Sequence, residues 1–206
     1  MPIDYGVKNG MMVFFNGIYA IMKIYSQYIT ELNLIDIPPD TTILDLEGCI
    51  ALTLPGTLPN NLTELNLSFC AALTTLPDTL PNNLTKLNLN GCTALKTLPG
   101  ALPNNLTKIF LSHCKSLTKL PDNLTSLINL TELDLSFCKS LTKLPDNLTS
   151  LINLTVLNLR GCTALTTLPD TLPNSLTGLN LEGCTALTTL PDTLPNNLTK
   201  LDLRGC

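Results

Sequence analysis

Residues 130–145 read Leu130-Thr-Glu-Leu-Asp-Leu-Ser-Phe-Cys-Lys-Ser-Leu-Thr-Lys-Leu-Pro145, and this stretch decides the fold. Leu133-Asp134-Leu135 alternates apolar and polar side chains with period two, as a half-buried strand does, and the Leu144-Pro145 step excludes a regular helix. Strand, turn and extended return make one coil. The same unit, L-T-x-L-x-L-x-x-C-x-x-L-x-x-L-P, starts near Thr41 and again at Leu62, Leu84, Leu106, Leu130, Leu154, Leu176 and Leu198. A shortened form, Ile29-Thr-Glu-Leu-Asn-Leu34, precedes them, so about nine strands are expected.

One cysteine marks each unit. Cys49, Cys70, Cys92, Cys114, Cys138, Cys162, Cys184 and Cys206 stand 21, 22, 22, 24, 24, 22 and 22 residues apart. Disulfide frameworks and zinc sites cluster their ligands, whereas one cysteine at a fixed period is a single structural position copied along a solenoid. Eight unpaired thiols point to a reducing compartment. In the unit from Leu62, the inward residues are expected to be Leu62, Leu65, Leu67, Cys70, Leu73, Leu76 and Leu80. Stacking coils about 4.8 Å apart makes a parallel sheet on one side. The other side is expected to be polyproline-like in the short units, with room for a 3₁₀ or helical turn at Asp122–Ile128 and Asp146–Ile152.

The amino terminus is organised differently. Asn9-Gly10 and Asn16-Gly17 are type I′ turn signals between Ile3–Lys8, Met11–Phe15 and Ile18–Tyr25, which predicts a β-meander. The expected division is a cap over residues 1–28 and a solenoid over 29–206. A helix across Phe14–Tyr28 is the alternative. Asn16 and Lys23 interrupt the apolar run and leave it short of the roughly 20 residues of a spanning helix. With Lys8 as its one basic residue and Asp4 opposing it, the segment makes a poor signal peptide. At the other end the expectation is a cut chain or a missing cap, since Cys206 holds the ladder position without a Leu-Pro return.

Net charge is −4 and aromatics make up 4% of the residues, with no tryptophan. The interior must therefore be built from leucine, and nucleic acid or an anionic membrane is disfavoured as a partner. A monomer is expected. Recurrent Asn-Leu-Thr sequons, as at Asn83 and Asn105, read as turn asparagines at a repeat boundary.

The unit L-x-x-L-x-L-x-x-C-x-x-L-x-x-L-P resembles the leucine-rich repeat, over residues 29 to 206. Short units such as Leu76-Pro-Asp-Thr-Leu-Pro-Asn-Asn83 resemble the double Leu-Pro repeats of bacterial effectors delivered into host cells. Long units such as Leu120–Cys138 are similar to repeats of plant disease-resistance receptors. The resemblance implies an α/β-type solenoid, a horseshoe with a concave parallel sheet and a mostly extended or 3₁₀ convex side. It implies a secreted bacterial effector that binds a host protein in the host cytoplasm. The alternative is the substrate-selecting half of a larger enzyme, such as a ubiquitin ligase, with its catalytic domain beyond residue 206. Cysteine stands where many relatives carry asparagine; a thiol is a weak donor, so the ladder is expected to stabilise mainly by packing.

No catalytic constellation is evident. The single histidine, His113, has no triad partner, and neither a phosphate loop nor metal-binding spacing occurs, so no enzyme activity, cofactor or metal is expected. Comparison of the repeats favours binding instead. Lys115–Thr131 and Lys139–Thr155 are identical, while the outward strand positions change from unit to unit. One reads Glu64, Lys86, Lys108, Glu132, Val156, Gly178, Lys200; the next reads Asn66, Asn88, Phe110, Asp134, Asn158, Asn180, Asp202. Phe69, His113 and Phe137 precede the cysteine where other full repeats carry glycine. An aromatic amid mixed charges has the composition of a protein-binding hot spot. The candidate partner-binding residues are Lys86, Lys108, Phe110, His113, Glu132, Asp134, Phe137 and Arg160, with drift on a tolerant face and rim packing of Phe69 and Phe137 as the alternatives.

Overall fold

The computed structural model describes residues 6–8, 11–16, 19–24, 37–50 and 52–206. Among these, eleven strands form one sheet in chain order: β1 Gly6–Lys8, β2 Met11–Asn16, β3 Tyr19–Ile24, β4 Thr41–Asp45, β5 Glu64–Asn66, β6 Lys86–Asn88, β7 Lys108–Phe110, β8 Glu132–Asp134, β9 Val156–Asn158, β10 Gly178–Asn180 and β11 Lys200–Asp202. From β3 to β11 every pairing is parallel, as the repeat predicts for a solenoid. The repeat strands keep equivalent residues opposite each other: Leu65, Leu87, Ile109, Leu133, Leu157, Leu179 and Leu201 form one line.

The meander forms with antiparallel pairs β1·β2 and β2·β3, in place of the helical alternative at Phe14–Tyr28. It continues the sheet, because β3 lies parallel to β4 with a register shift between Ala20 and Ile21. The ninth parallel strand is thus β3. The strand expected at Ile29–Leu34 lies outside the described residues, as do the turn residues Asn9, Gly10 and Gly17. Met22 of β3 is 1% exposed and joins the leucine core.

All seven inward residues of the Leu62 unit are buried. Leucines stack on leucines, so each coil buries its apolar side chains against its two neighbours, and stability accumulates coil by coil. On the convex side the long units make 3₁₀ turns at Asp122–Ser126 and Leu148–Ser150. Their proline-bounded counterparts in the short units stay extended or bent.

Three polar ladders tie coil to coil. Threonine hydroxyls donate to the preceding coil's threonine carbonyl, as Thr107 does to Thr85 at 3.0 Å and Thr131 to Thr107 at 3.0 Å. Asparagine amides at the repeat boundary do the same, Asn105 to Asn82 at 2.8 Å and Asn153 to Ile128 at 2.8 Å. This is the structural role of the recurrent sequons. Each ladder cysteine from Cys70 onward also donates its thiol to a leucine carbonyl one coil back, for example Cys92 Sγ to Leu67 O at 3.1 Å and Cys138 Sγ to Leu111 O at 3.2 Å. The ladder therefore combines packing with a hydrogen bond at every step.

Candidate recognition surface

Three rows of side chains leave the sheet on its solvent side, and a fourth runs along the turn edge. The first row pairs charges across neighbouring coils: Lys86 Nζ meets Glu64 at 3.6 Å and Lys108 Nζ meets Glu132 at 3.0 Å. These pairs are exposed, so each contributes at most about 1 kcal/mol to stability. Further along the same row, Val156 is 40% exposed and Gly178 has no side chain. They floor an open trough flanked by Asn158, Asn180, Lys200 and Asp202. The repeat comparison shows valine and glycine here in place of charge, and that signal could have placed both in the candidate set.

In the second row Phe110 lies between Asn88 and Asp134 by strand register, and it is half-buried. In the third row, Arg160 Nη2 reaches Glu182 at 3.2 Å, and Arg204 joins the same carboxylate at 3.2 Å and Asp202 at 2.6 Å. Hydrogen bonds from Arg204 hold the Asp202 carboxyl down at about 2.

The turn edge is built by one repeated backbone device. In each coil the cysteine N–H returns to the leucine three residues earlier, as Cys138 N to Leu135 O at 3.1 Å, while from Gly48 to Gly183 the residue before the cysteine donates forward to the next coil, as His113 N to Ser136 O at 2.7 Å. Closing both bonds gives the pre-cysteine residue a positive φ, the i+2 conformation of a type II turn. Glycine takes that place at Gly48, Gly91, Gly161, Gly183 and Gly205; Phe69, His113 and Phe137 adopt it with φ of 61, 62 and 58°. Left-handed backbone costs an L-residue roughly 1–2 kcal/mol that glycine does not pay.

The rings on this edge lean toward the next coil. His113 and Phe137 have ring centroids 4.5 Å apart at 31°, and the Arg160 guanidinium lies 5.5 Å from the Phe137 centroid. Ser112 Oγ holds His113 Nδ1 at 2.8 Å and accepts from Ser136 Oγ at 2.8 Å. Phe69 is 59% exposed and its ring covers Gly91; the Phe137 ring covers Gly161. The structure thus divides the candidate residues into two groups. Lys86, Lys108, Phe110, Glu132 and Asp134 share the central sheet, while His113 and Arg160 each contact Phe137 along the edge.

The buried thiols are inert by placement. Burial pushes Cys70, Cys92, Cys114 and Cys162 up to about 12 and Cys184 to about 11, and it raises Cys138 further. Cys206 alone among the described cysteines is exposed. Among the described residues no group of three or more His, Cys, Asp or Glu is placed to hold a metal ion, and no helix is long and apolar enough to cross a membrane.

Residues 129–151 match the Leucine Rich Repeat family. Among solved structures, the leucine-rich repeat domain of the type III effector XopL is similar with 26% identity and a TM-score of 0.62, covering 79% of this chain and 66% of that one. YopM from Yersinia enterocolitica is similar with 25% identity and a TM-score of 0.54, covering 84% of this chain and 43% of that one. No curated protein matches the chain. Repeat, sheet and turn together give the chain the fold of a leucine-rich-repeat solenoid, with residues 129–151 matching the family's repeat directly. In particular it resembles bacterial leucine-rich-repeat effectors, and it spans less than two thirds of the length of either structure named above.

Proposed function

We propose that the chain is the recognition module of a bacterial effector and binds a host protein through the central sheet around Lys108, Phe110, Glu132 and Asp134. The observation that carries this reading is the contrast within one fold. Interior, turns and convex stretches repeat almost unchanged, down to the identical Lys115–Thr131 and Lys139–Thr155, while the outward rows place an aromatic and opposite charges side by side. The likeness to XopL and YopM supports the effector class, and six buried thiols from Cys70 to Cys184, each spent on a backbone carbonyl rather than on a disulfide, suit delivery into a reducing host cytoplasm.

The test compares the proteins retained from a eukaryotic lysate by the intact chain with those retained by the Phe110→Ala, Lys108→Ala double variant, both quantified by mass spectrometry. A protein retained by the first and lost by the second supports this site, provided the melting temperature stays within a few degrees. An unchanged retained set overturns it.

A further inference from the structure

We propose that the turn edge of the solenoid binds an extended, proline-rich peptide, laid along the coils in the polyproline II conformation across Phe69, His113 and Phe137. The inference rests on the reading of the chain as a recognition module and names the class of partner that one edge of it takes.

The first support is backbone strain. Five of the eight turns place glycine at the left-handed position, and the three that do not all carry a ring there. The aromatics fill no core gap, since Phe69 and His113 are exposed and Phe137 is half-buried. Strain kept for side chains that remain at the surface is the pattern of a functional site.

The second support is geometry. All three rings tilt toward the following coil, Phe69 over Gly91, His113 against Phe137, and Phe137 over Gly161. They make a stripe of rings along the stacking direction, in which Phe69 is open to solvent and His113 lies against Phe137. Phe69 and His113 sit two coils apart, about 9.6 Å at the strand spacing. One turn of polyproline II advances about 9.3 Å in three residues. Prolines at i and i+3 therefore fall on Phe69 and His113, and Phe137, with the Arg160 guanidinium 5.5 Å from its centroid, backs the His113 ring from the next coil.

The third support is hydrogen bonding. A polyproline II strand leaves its own carbonyls unpaired, so its binding site needs donors beside the rings. Asn90 uses its Oδ1 to accept the Ser112 N–H and keeps its amide donors, and Arg160 engages Glu182 through one guanidinium nitrogen and keeps the rest. The net charge of −4 and the acidic neighbours Glu132, Asp134 and Glu182 oppose a single-stranded nucleic acid on the same stacking faces.

The experiment titrates the intact chain with fluorescein-labelled decaproline, followed by anisotropy, alongside a Gly-Ser decapeptide, cellohexaose and oligo(dT). The variants are Phe69→Gly, His113→Gly and Phe137→Gly, each installing the residue that other coils carry there, so folding is kept. Saturable binding of decaproline alone is expected, weakened about tenfold by each substitution and lost in the His113→Gly, Phe137→Gly pair. Amide shift perturbations in the unmodified chain are expected at Phe69, Asn90, His113 and Phe137. Absence of saturation, equal binding by the Gly-Ser peptide, preference for cellohexaose or oligo(dT), or glycine variants that bind as well as the parent would each overturn the proposal. Because Phe110 and Lys108 are untouched, these results stand apart from the lysate experiment.

Discussion

His113 and Phe137 occupy the same left-handed turn position in consecutive coils, and their rings meet at 4.5 Å. The contact joins two strained backbones, and it depends on a third position, because the Phe137 ring needs the bare surface of Gly161 to lie flat.

Gly161→Ala and Gly183→Ala separate strain from crowding. Both glycines have positive φ, 67 and 72°, so each alanine costs roughly 1–2 kcal/mol in backbone strain. At Gly161 the added Cβ would also stand 2.6 Å from Phe137 Cδ1, whereas at Gly183 the nearest atom is 3.8 Å away. Chemical denaturation is expected to show Gly161→Ala as the more damaging. Loss of the ring-current shift at His113 would report that the stack has been displaced.

The thiol ladder makes the fold sensitive to alkali. Cys70, Cys92, Cys114, Cys162 and Cys184 ionise near 9.0 in the unfolded chain and at about 11 to 12 once buried, so the folded chain holds protons that the unfolded chain releases. With folded values raised, the stabilisation is complete below about pH 9 and is lost as pH climbs toward 12. Melting temperature measured from pH 7 to 11 is expected to fall more steeply for the parent than for a Cys92→Ala, Cys114→Ala variant.

Position within the ladder sets the cost of losing one thiol. Cys114→Ala removes a fully buried sulfur and its 3.2 Å bond to Leu89 O, at an expected cost of about 1–3 kcal/mol. Cys206→Ala, at an exposed residue, is expected to change stability by under about 0.5 kcal/mol. Thiol labelling of the native chain at pH 8 is expected to modify Cys206 first.

The boundary asparagines are structural. Asn105→Ala forfeits the 2.8 Å bond to Asn82 O and is expected to cost about 0.5–1.5 kcal/mol by urea denaturation. Thr107→Val, which removes the hydroxyl bonded to Thr85 O at 3.0 Å, is expected to cost a similar amount.

Strand register, buried positions and the two 3₁₀ turns were legible because leucine and cysteine recur at fixed offsets that admit one side of the chain to the core. The ninth parallel strand was not, since Tyr19–Ile24 carries none of the repeat and reaches β4 across a register shift. The turn edge was half legible. Five glycines at one offset are themselves the mark of a left-handed residue. Phe69, His113 and Phe137 then had to share that backbone, although sequence alone did not reveal which way their rings would lean. Phe110 illustrates the remaining gap, because a side chain placed outward by strand parity is nonetheless half-buried.

The identical stretches Lys115–Thr131 and Lys139–Thr155 carry a consequence for folding. Two coils with the same interior offer their neighbours the same leucines, so hydrophobic packing alone does little to tell one coil from the other. The Lys108–Glu132 pair and the His113–Phe137 contact form only between the correct neighbours. The variable outer rows thus act as address labels that tell otherwise duplicate coils apart, and erasing them is expected to slow refolding more than it lowers final stability.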